Sequence, residues 1–255
     1  MENTYREGHF VWRELMTTDL QKARGFYGEL LGWTAEDTPM PTGTYTVFKK
    51  EGVPLAGMMA MPPGATGMPP AWMSYCSVKD VDKTLEVATK NGGQVIMPAM
   101  DAAEVGRFAV LSDPTGGVLG VLRGTTGDGP TPKMDSVGHF CWETLNTTDV
   151  EKAKAFYTSV IGWTVAAGPG ANMTIMSAGT SMVADFESAP PGVPSHWLLH
   201  VLVQKLEVAR DRAERLGAKV LMPLIEIPQI GRMAIITDPN GAALSLYEPA
   251  PRPSA

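Results

Sequence analysis

Hydrophobic residues recur along the chain with two different spacings, and each change of spacing marks a change from strand to helix. Residues 10–17 are rich in aromatic, aliphatic and β-branched side chains, which predicts a strand. Thr18-Asp19 is typical of a helix N-cap. The apolar residues that follow at helical spacing are Leu20, Ala23, Phe26, Tyr27 and Leu30. Gly32 is expected to end this helix.

The same order restarts later in the chain. Short strands are expected around 44–50 and 55–61, and another strand over 72–78. Asp80 is expected to cap a second helix, which ends at Gly92-Gly93. Further strands are expected at 94–98, 107–112 and 118–122. The pattern therefore predicts a strand–helix–three-strand module, written twice in the first half of the chain.

The second half of the chain is a copy of the first. Residues 8–34 and 138–164 are identical at 15 of 27 aligned positions, and 106–116 matches 231–241. The six tryptophans fall into three aligned pairs. Residues 125–136 are rich in Gly, Pro, Thr and Asp, which is typical of a linker. The predicted domains are therefore 8–124 and 137–249, with helices of the second copy near 149–161 and 204–216.

A strand, a helix and three more strands predict a mixed sheet with its helix on one face. The fold class is therefore α+β, with four βαβββ modules. Pairs of modules are expected to cover their open faces by enclosing two cavities between paired sheets. Such cavities are natural binding sites for small molecules.

Composition narrows the possible partners. The chain has 255 residues, of which 44% are hydrophobic, and 21 Lys plus Arg stand against 27 Asp plus Glu, a net charge of −6. This balance favours a globular protein and disfavours a nucleic-acid partner. No apolar run is long enough to predict a membrane span or a signal segment. Two cysteines fit a reducing cytoplasm. A monomer and a homodimer both stay open.

Several motifs resemble one known superfamily. They are Asp19 with the segment Ala23–Trp33, its copy from Asp149 to Trp163, and the turns SDPTGG (112–117) and TDPNGA (237–242). Together they resemble the vicinal oxygen chelate superfamily of glyoxalases, extradiol dioxygenases and bleomycin resistance proteins. Two-unit bacterial glyoxalase-like proteins or hydroxylases, including a mycobacterial antigen group, are similar. The resemblance implies the paired βαβββ fold, and it leaves the chemistry open.

The resemblance also implies where a divalent metal would be held. The first-strand ligand position is Trp12, and Trp142 in the second copy; the last-strand position is Gly120, and Ser245 in the second copy. The other implied positions are Trp72 or Met73, Trp197 or Leu198, Met58, and Asp185 or Glu187. Only the last of these carries a good ligand. The expectation is therefore no metal bound in the family manner, and no other cofactor.

Two residues are candidate acid–base catalysts. Glu14 shares strand parity with Trp12, so a cavity lined by Trp12 would also contain this carboxylate. A carboxylate among aromatic rings would have a raised pKa and act as a general base; an exposed glutamate at a sheet edge is the alternative. His200, which aligns with Tyr75, is the second candidate, and ordinary hydrogen-bonded packing is its alternative.

Other residues are candidate ligand contacts. Indole rings stack well on flat aromatic compounds, and an arginine after a glycine can bind a carboxylate or phenolate, unless it serves a structural salt bridge. The predicted ligand contacts are Trp12, Trp72, Tyr75, Arg107, Trp142, Thr144, Trp197 and Arg232. Asp113 and Asp238, which precede prolines, are expected to form turns.

Three functions fit these residues. The favoured one is a metal-free binding protein that captures a small apolar or aromatic compound, with one functional cavity and one degraded cavity. The second is a lyase, isomerase or hydroxylase of the same superfamily, which uses Glu14, histidines or a metal. The third is an assembly or regulatory protein in which the duplication supplies a pseudo-dimer.

Overall fold

The computed structural model describes residues 4–40, 43–61, 68–103, 105–129, 133–168 and 173–251. In the first repeat the elements are β1 (Phe10–Thr17), α1 (Leu20–Leu31), β2 (Thr34–Met40), β3 (Gly43–Lys50), β4 (Val53–Ala60), β5 (Ala71–Ser77), α2 (Val81–Lys90), β6 (Gln94–Ala102), β7 (Gly106–Ser112) and β8 (Val118–Gly124). In the second repeat they are β9 (Phe140–Thr147), α3 (Val150–Val160), β10 (Thr164–Ala167), β11 (Thr174–Ala178), β12 (Ser181–Ser188), β13 (His196–Leu202), α4 (Leu206–Arg215), β14 (Lys219–Ile227), β15 (Gly231–Thr237) and β16 (Ala243–Pro249).

This element order confirms the predicted α+β fold of four βαβββ modules. One strand was not located by the hydrophobic pattern. β2 has the sequence TAEDTPM, and most of its residues are exposed. It pairs with β3 in an antiparallel ladder at the end of its sheet. A polar strand at a sheet edge carries no hydrophobic alternation, because neither of its faces is buried.

The strands form two eight-stranded sheets with the same order. The first sheet runs β2-β3-β4-β1-β5-β8-β7-β6, and the second runs β10-β11-β12-β9-β13-β16-β15-β14. Within each module the first strand pairs with the last in parallel, as in β5 with β8 and β13 with β16. The remaining ladders within modules are antiparallel, as in β7 with β8.

The predicted aspartate caps start three of the helices. Oδ1 of Asp19, Asp80 and Asp149 accepts a hydrogen bond from the backbone N–H three residues later, at 2.9 to 3.0 Å. In α4 the N-cap residue, Lys205, makes no side-chain cap bond. Instead, the N–H of Leu206 donates to Oε2 of Glu248 at 2.6 Å. Among the described segments, no helix is long and apolar enough to cross a membrane.

Contacts divide the chain into two compact units that do not follow the sequence repeats. Unit 1 contains Met1–Trp12, Met73–Thr131 and Glu143–Leu198, and unit 2 contains Arg13–Trp72, Pro132–Trp142 and Leu199–Ala255. Each unit therefore takes one module from each repeat. In unit 1 α2 contacts α3, and in unit 2 α1 contacts α4. The predicted domains 8–124 and 137–249 remain predictions about the repeats.

Aromatic rings fill the core on the helix side of each unit. In unit 1 the core contains Phe10, Phe156, Tyr157, Trp163, Phe186 and Trp197. In unit 2 it contains Phe26, Tyr27, Trp33, Phe48, Trp72 and Phe140. The Tyr157 and Trp163 rings stack at 5.3 Å, and the Tyr27 and Trp33 rings at 5.4 Å. The conserved geometry shows that both units pack their helices in the same way.

A buried hydrogen-bonded chain joins the two modules of each unit. In unit 1 the indole N–H of Trp197 donates to the Tyr157 hydroxyl at 3.2 Å, and this hydroxyl donates to Asp113 Oδ2 at 3.0 Å. In unit 2 Trp72 donates to Tyr27 at 2.8 Å, and Tyr27 donates to Asp238 at 2.9 Å. Burial, reinforced by the nearby aspartate, raises the pKa of both tyrosines well above its usual value.

The same aspartates also form turns, as the sequence predicts. Asp113 Oδ1 accepts hydrogen bonds from the N–H groups of Thr115 and Gly117, and Asp238 Oδ1 accepts from three successive N–H groups after Pro239. One carboxylate oxygen therefore shapes the turn, and the other binds the tyrosine of the facing module. We call these two chains the Trp–Tyr–Asp links.

The substitution Tyr157→Phe tests the link in unit 1. It removes the hydroxyl while keeping the ring, and it leaves the Trp197 N–H and one Asp113 oxygen buried without this partner. We expect the free energy of unfolding to fall by about 1–3 kcal/mol, measured by urea denaturation. Tyr5→Phe, at a partly buried hydrogen bond to Gly124, is the control with a smaller expected loss. An unchanged stability of Tyr157→Phe would contradict a structural role for the link.

Candidate functional site

Four residues that lie directly opposite one another on neighbouring strands form a row across the second module of the first repeat. We call such opposing residues register partners. Met97 on β6 lies opposite Val110 on β7, Val110 opposite Gly120 on β8, and Gly120 opposite Tyr75 on β5. Register partners point to the same face of a sheet, so these residues share one face. All of them belong to unit 1.

This face is apolar and only partly covered. Met73, Tyr75 and Val110 are buried there, and Trp12, Met97, Phe108 and Leu122 pack against them while staying partly exposed. The rings of Tyr75 and Phe108 meet edge to face, with their centroids 6.3 Å apart. We call these seven residues the apolar wall. Two of the predicted ligand contacts, Trp12 and Tyr75, lie in it.

The Tyr75 ring lies directly over Gly120. A Cβ atom added to Gly120 would lie 2.3 Å from Cδ1 of Tyr75, far inside van der Waals contact. Position 120 therefore has no room for a side chain unless the ring moves. The resemblance places a metal-binding carboxylate at this position. The structure does not fit such a ligand here.

The second repeat has the equivalent row in unit 2. The end of this row that lies inside the protein is formed by two polar residues, Ser245 and His200. Met222 lies opposite Ile235, Ile235 opposite Ser245, and Ser245 opposite His200. Met222 is 47% exposed, whereas Ser245 is fully buried. The Ser245 Oγ has no hydrogen-bond partner among the described residues. Burial lowers the pKa of His200 to about 4, so its imidazole is neutral at pH 7.

Acidic side chains lie on the first module of the second repeat, within unit 1. Thr144 and Asp185 are register partners, and the Thr144 hydroxyl donates to Asp185 Oδ1 at 2.6 Å. Burial and the neighbouring Asp185 raise the pKa of Glu187. Within the described part of the chain, no three His, Cys, Asp or Glu side chains are placed to hold one metal ion.

Glu14 lies in unit 2 and is bound by a residue that the sequence did not single out. The Tyr45 hydroxyl donates to Glu14 Oε2 at 2.9 Å, and Glu14 lies opposite Gly57 on β4. The residue is only 9% exposed, which disagrees with the alternative of an exposed glutamate. Its role as a general base stays a prediction.

The structure places two predicted ligand contacts elsewhere. Trp72 and Trp197 lie in the aromatic cores, where each indole N–H donates to a buried tyrosine hydroxyl. Strand parity is the reason: Trp72 and Tyr75 differ by an odd number of residues, so they point to opposite faces of β5. This corrects the prediction that Trp72 and Trp197 line a cavity. Trp142 is half-buried on β9, and its ligand role stays a prediction.

Both predicted arginines form ion pairs near the protein surface. Arg107 Nε donates to Asp82 at 2.7 Å and its Nη1 to Asp101 at 2.7 Å. The bonds from Arg107 hold the pKa of Asp82 below its usual value. Arg232 pairs with Glu207 and Glu248. These contacts agree with the salt-bridge alternative, so we do not include either arginine in the site.

Comparison with known proteins gives one family for both repeats. The profile of the Glyoxalase/Bleomycin resistance protein/Dioxygenase superfamily matches residues 8–120 and 136–246. "Putative glyoxylase CFP32" of Mycobacterium tuberculosis is 36% identical over 255 residues, which cover 97% of each chain. "Anthracycline biosynthesis protein DnrV" of Streptomyces peucetius is 30% identical over 263 residues, which cover 96% of this chain and 94% of that protein.

Solved structures show the same fold at low sequence identity. The 2,3-dioxygenase LapB from Pseudomonas sp. KL28 superposes with a TM-score of 0.64 at 15% identity, over 100% of this chain and 95% of that chain. The Mn(II)-bound glyoxalase from Novosphingobium aromaticivorans gives a TM-score of 0.60 at 15% identity, over 95% and 82%. At this identity the likeness concerns the fold alone.

The substitution Gly120→Ala tests the contact between Gly120 and Tyr75. The added methyl group must displace the ring, so we expect a loss of about 1–3 kcal/mol in unfolding free energy. In a Tyr75→Ala background the same substitution should cost less, and urea denaturation of the four proteins gives this coupling. Ser245→Ala, at the aligned position, is the control and should not destabilise. Additive losses would show that Tyr75 does not fill the space over Gly120.

The buried neutral His200 predicts a specific pH dependence. The unfolded chain protonates this histidine near pH 6.5, whereas the folded chain does so only near pH 4. Its contribution to stability is therefore complete above about pH 6.5 and is lost as the pH falls towards 4. Between about pH 7.5 and pH 5, wild type should lose about 2 kcal/mol more than His200→Gln. Equal losses in urea denaturation would mean that His200 titrates normally.

Proposed function

The chain belongs to the Glyoxalase/Bleomycin resistance protein/Dioxygenase superfamily, and on this premise we propose that it binds a small, largely apolar aromatic compound on the apolar wall. The observation that carries the proposal is the wall itself. It presents partly exposed Trp12 and Phe108 rings beside buried Tyr75. A flat ligand that stacks on such rings gains about 0.5–1.5 kcal/mol per ring beyond burial of its area.

We propose further that the wall holds no metal in the family manner. Position 12 carries an indole, which offers no lone pair to a cation, and position 120 carries no side chain. The Tyr75 ring fills the space where a carboxylate would have to stand. The residues present therefore do not fit a divalent ion.

Two relatives support an aromatic ligand by their names. The relatives from Streptomyces sp. strain C5 and Streptomyces peucetius are named as anthracycline biosynthesis proteins, and both are 30% identical to this chain. Anthracyclines are fused-ring aromatic compounds. The wall itself includes Met73 and Met97, whose flexible thioethers adapt to ligands of different outline. A small-molecule partner is thus favoured, and the cytoplasmic location stays a prediction.

Calorimetric titration with 1-methylnaphthalene tests the binding site. We expect saturable binding, and we expect Trp12→Ala to weaken it about tenfold because one stacking ring is lost. Trp142→Ala, the same substitution at the aligned position of the second repeat, is the matched control and should leave the affinity unchanged. Equal weakening by both substitutions, or no binding to wild type, would contradict the proposal.

Elemental analysis of untagged protein tests the absence of a family metal. The protein should be expressed with Zn, Fe, Mn, Ni and Co supplied. We expect less than about 0.1 equivalent of any of these metals per chain, because a divalent ion needs several donor side chains. One equivalent that persists after dialysis would overturn this part of the proposal. Asp185 and Glu187 would then be the first residues to substitute.

A further inference from the structure

The two equivalent rows each have a methionine and a β-branched apolar residue at their outer positions, and they differ at their inner positions. The outer pairs are Met97 with Val110 in the first repeat and Met222 with Ile235 in the second. The inner pairs are Gly120 with Tyr75 and Ser245 with His200. The outer part of the row is therefore apolar in both repeats. The buried inner pair differs between the repeats, with Gly120 and Tyr75 in the first and Ser245 and His200 in the second.

The buried end of the second row has an unsatisfied hydroxyl group. Ser245 has no exposed surface, and no described residue forms a hydrogen bond with its Oγ. A buried hydroxyl without a partner is destabilising. The nearby tyrosine does not serve it, because the Tyr247 hydroxyl donates to the carbonyl of Ile230 at 2.7 Å. The partner of Ser245 must therefore come from outside the described protein atoms.

The residue beside Ser245 is polar but uncharged. His200 is 4% exposed, and burial keeps its imidazole neutral at pH 7. A neutral imidazole has one donor and one acceptor nitrogen, and a serine hydroxyl can both donate and accept. Two neutral groups of this kind suit a neutral hydroxyl group better than an anion, which requires positive charge.

We propose that Ser245 and His200 form a second ligand site, which binds an aromatic compound through a neutral hydroxyl group. Ile235 and Met222 extend the row from this buried pair to the protein surface and supply apolar contacts for the ring. This site goes beyond the function proposed for the apolar wall. It depends on other residues, in the other repeat, and on hydrogen bonding instead of aromatic stacking.

Two probes of equal shape test the site on the full chain. They are 1-naphthol and 1-methylnaphthalene, which differ by a hydroxyl group in place of a methyl group. Calorimetric titration of wild type should show two binding events for 1-naphthol and one for 1-methylnaphthalene. Ser245→Ala should weaken one 1-naphthol event about tenfold, the loss expected for one hydrogen bond in a buried site. It should leave the 1-methylnaphthalene event unchanged.

Two further measurements separate binding from folding. Urea denaturation of Ser245→Ala should show no loss of stability, because the removed hydroxyl has no protein partner. Tyr5→Phe removes a tyrosine hydroxyl that lies outside both proposed sites and donates to the carbonyl of Gly124, and it should preserve both 1-naphthol events. If Ser245→Ala lowered stability, or left 1-naphthol binding unchanged, the hydroxyl would serve the fold or a buried water, and the proposal would be overturned.

The outcomes also distinguish this proposal from the proposed function. Suppose that wild type bound no 1-methylnaphthalene but that Ser245→Ala still weakened 1-naphthol binding. Ligand binding by the apolar wall would then be contradicted, and the second site would be supported. If 1-methylnaphthalene bound through Trp12 while both probes gave a single binding event, ligand binding by the apolar wall would be supported and the second site would be contradicted.

Discussion

The Trp–Tyr–Asp links are the interactions on which each unit depends. A single aspartate binds its own turn through one oxygen and a tyrosine of the facing module through the other. The tyrosine hydroxyl in turn accepts an indole N–H, so three buried polar groups satisfy one another. Because such groups are costly to bury singly, the aromatic cores around them have one favourable arrangement, and the module pairing in each unit follows from it.

The sequence predicts the modules far better than their partners. Aspartate caps, helical spacing and the internal repeat locate the helices and nearly all the strands, since these signals are local. The polar strand β2 was missed because it is formed by pairing at a sheet edge. The pairing of modules from different repeats depends on contacts such as Tyr27 with Asp238, which are 211 residues apart and leave no local pattern.

Prediction of the candidate site from the sequence is limited in the same way, because contacts between separate strands leave no local pattern. The aromatic residue types predict Trp12 and Tyr75 as ligand contacts, and the aligned metal positions suggest that donors are missing. Trp72 and Tyr75 are separated by three residues on one strand and so point to opposite faces, which the prediction of both as ligand contacts overlooked. The structure places Trp72 in the core. The ring of Tyr75 over Gly120, and the bond from Tyr45 to Glu14, could not be predicted, because each depends on side chains of two separate strands.

The division of the units has a consequence for how the chain can be cut or shortened. Since each unit draws one module from each repeat, neither half of the sequence contains a complete core. A polypeptide severed in the linker would yield two fragments whose aspartates and tyrosines find their partners only in the other fragment. The halves should consequently be insoluble apart and reconstitute on mixing. Loss of either copy would remove half of both cores from the chain.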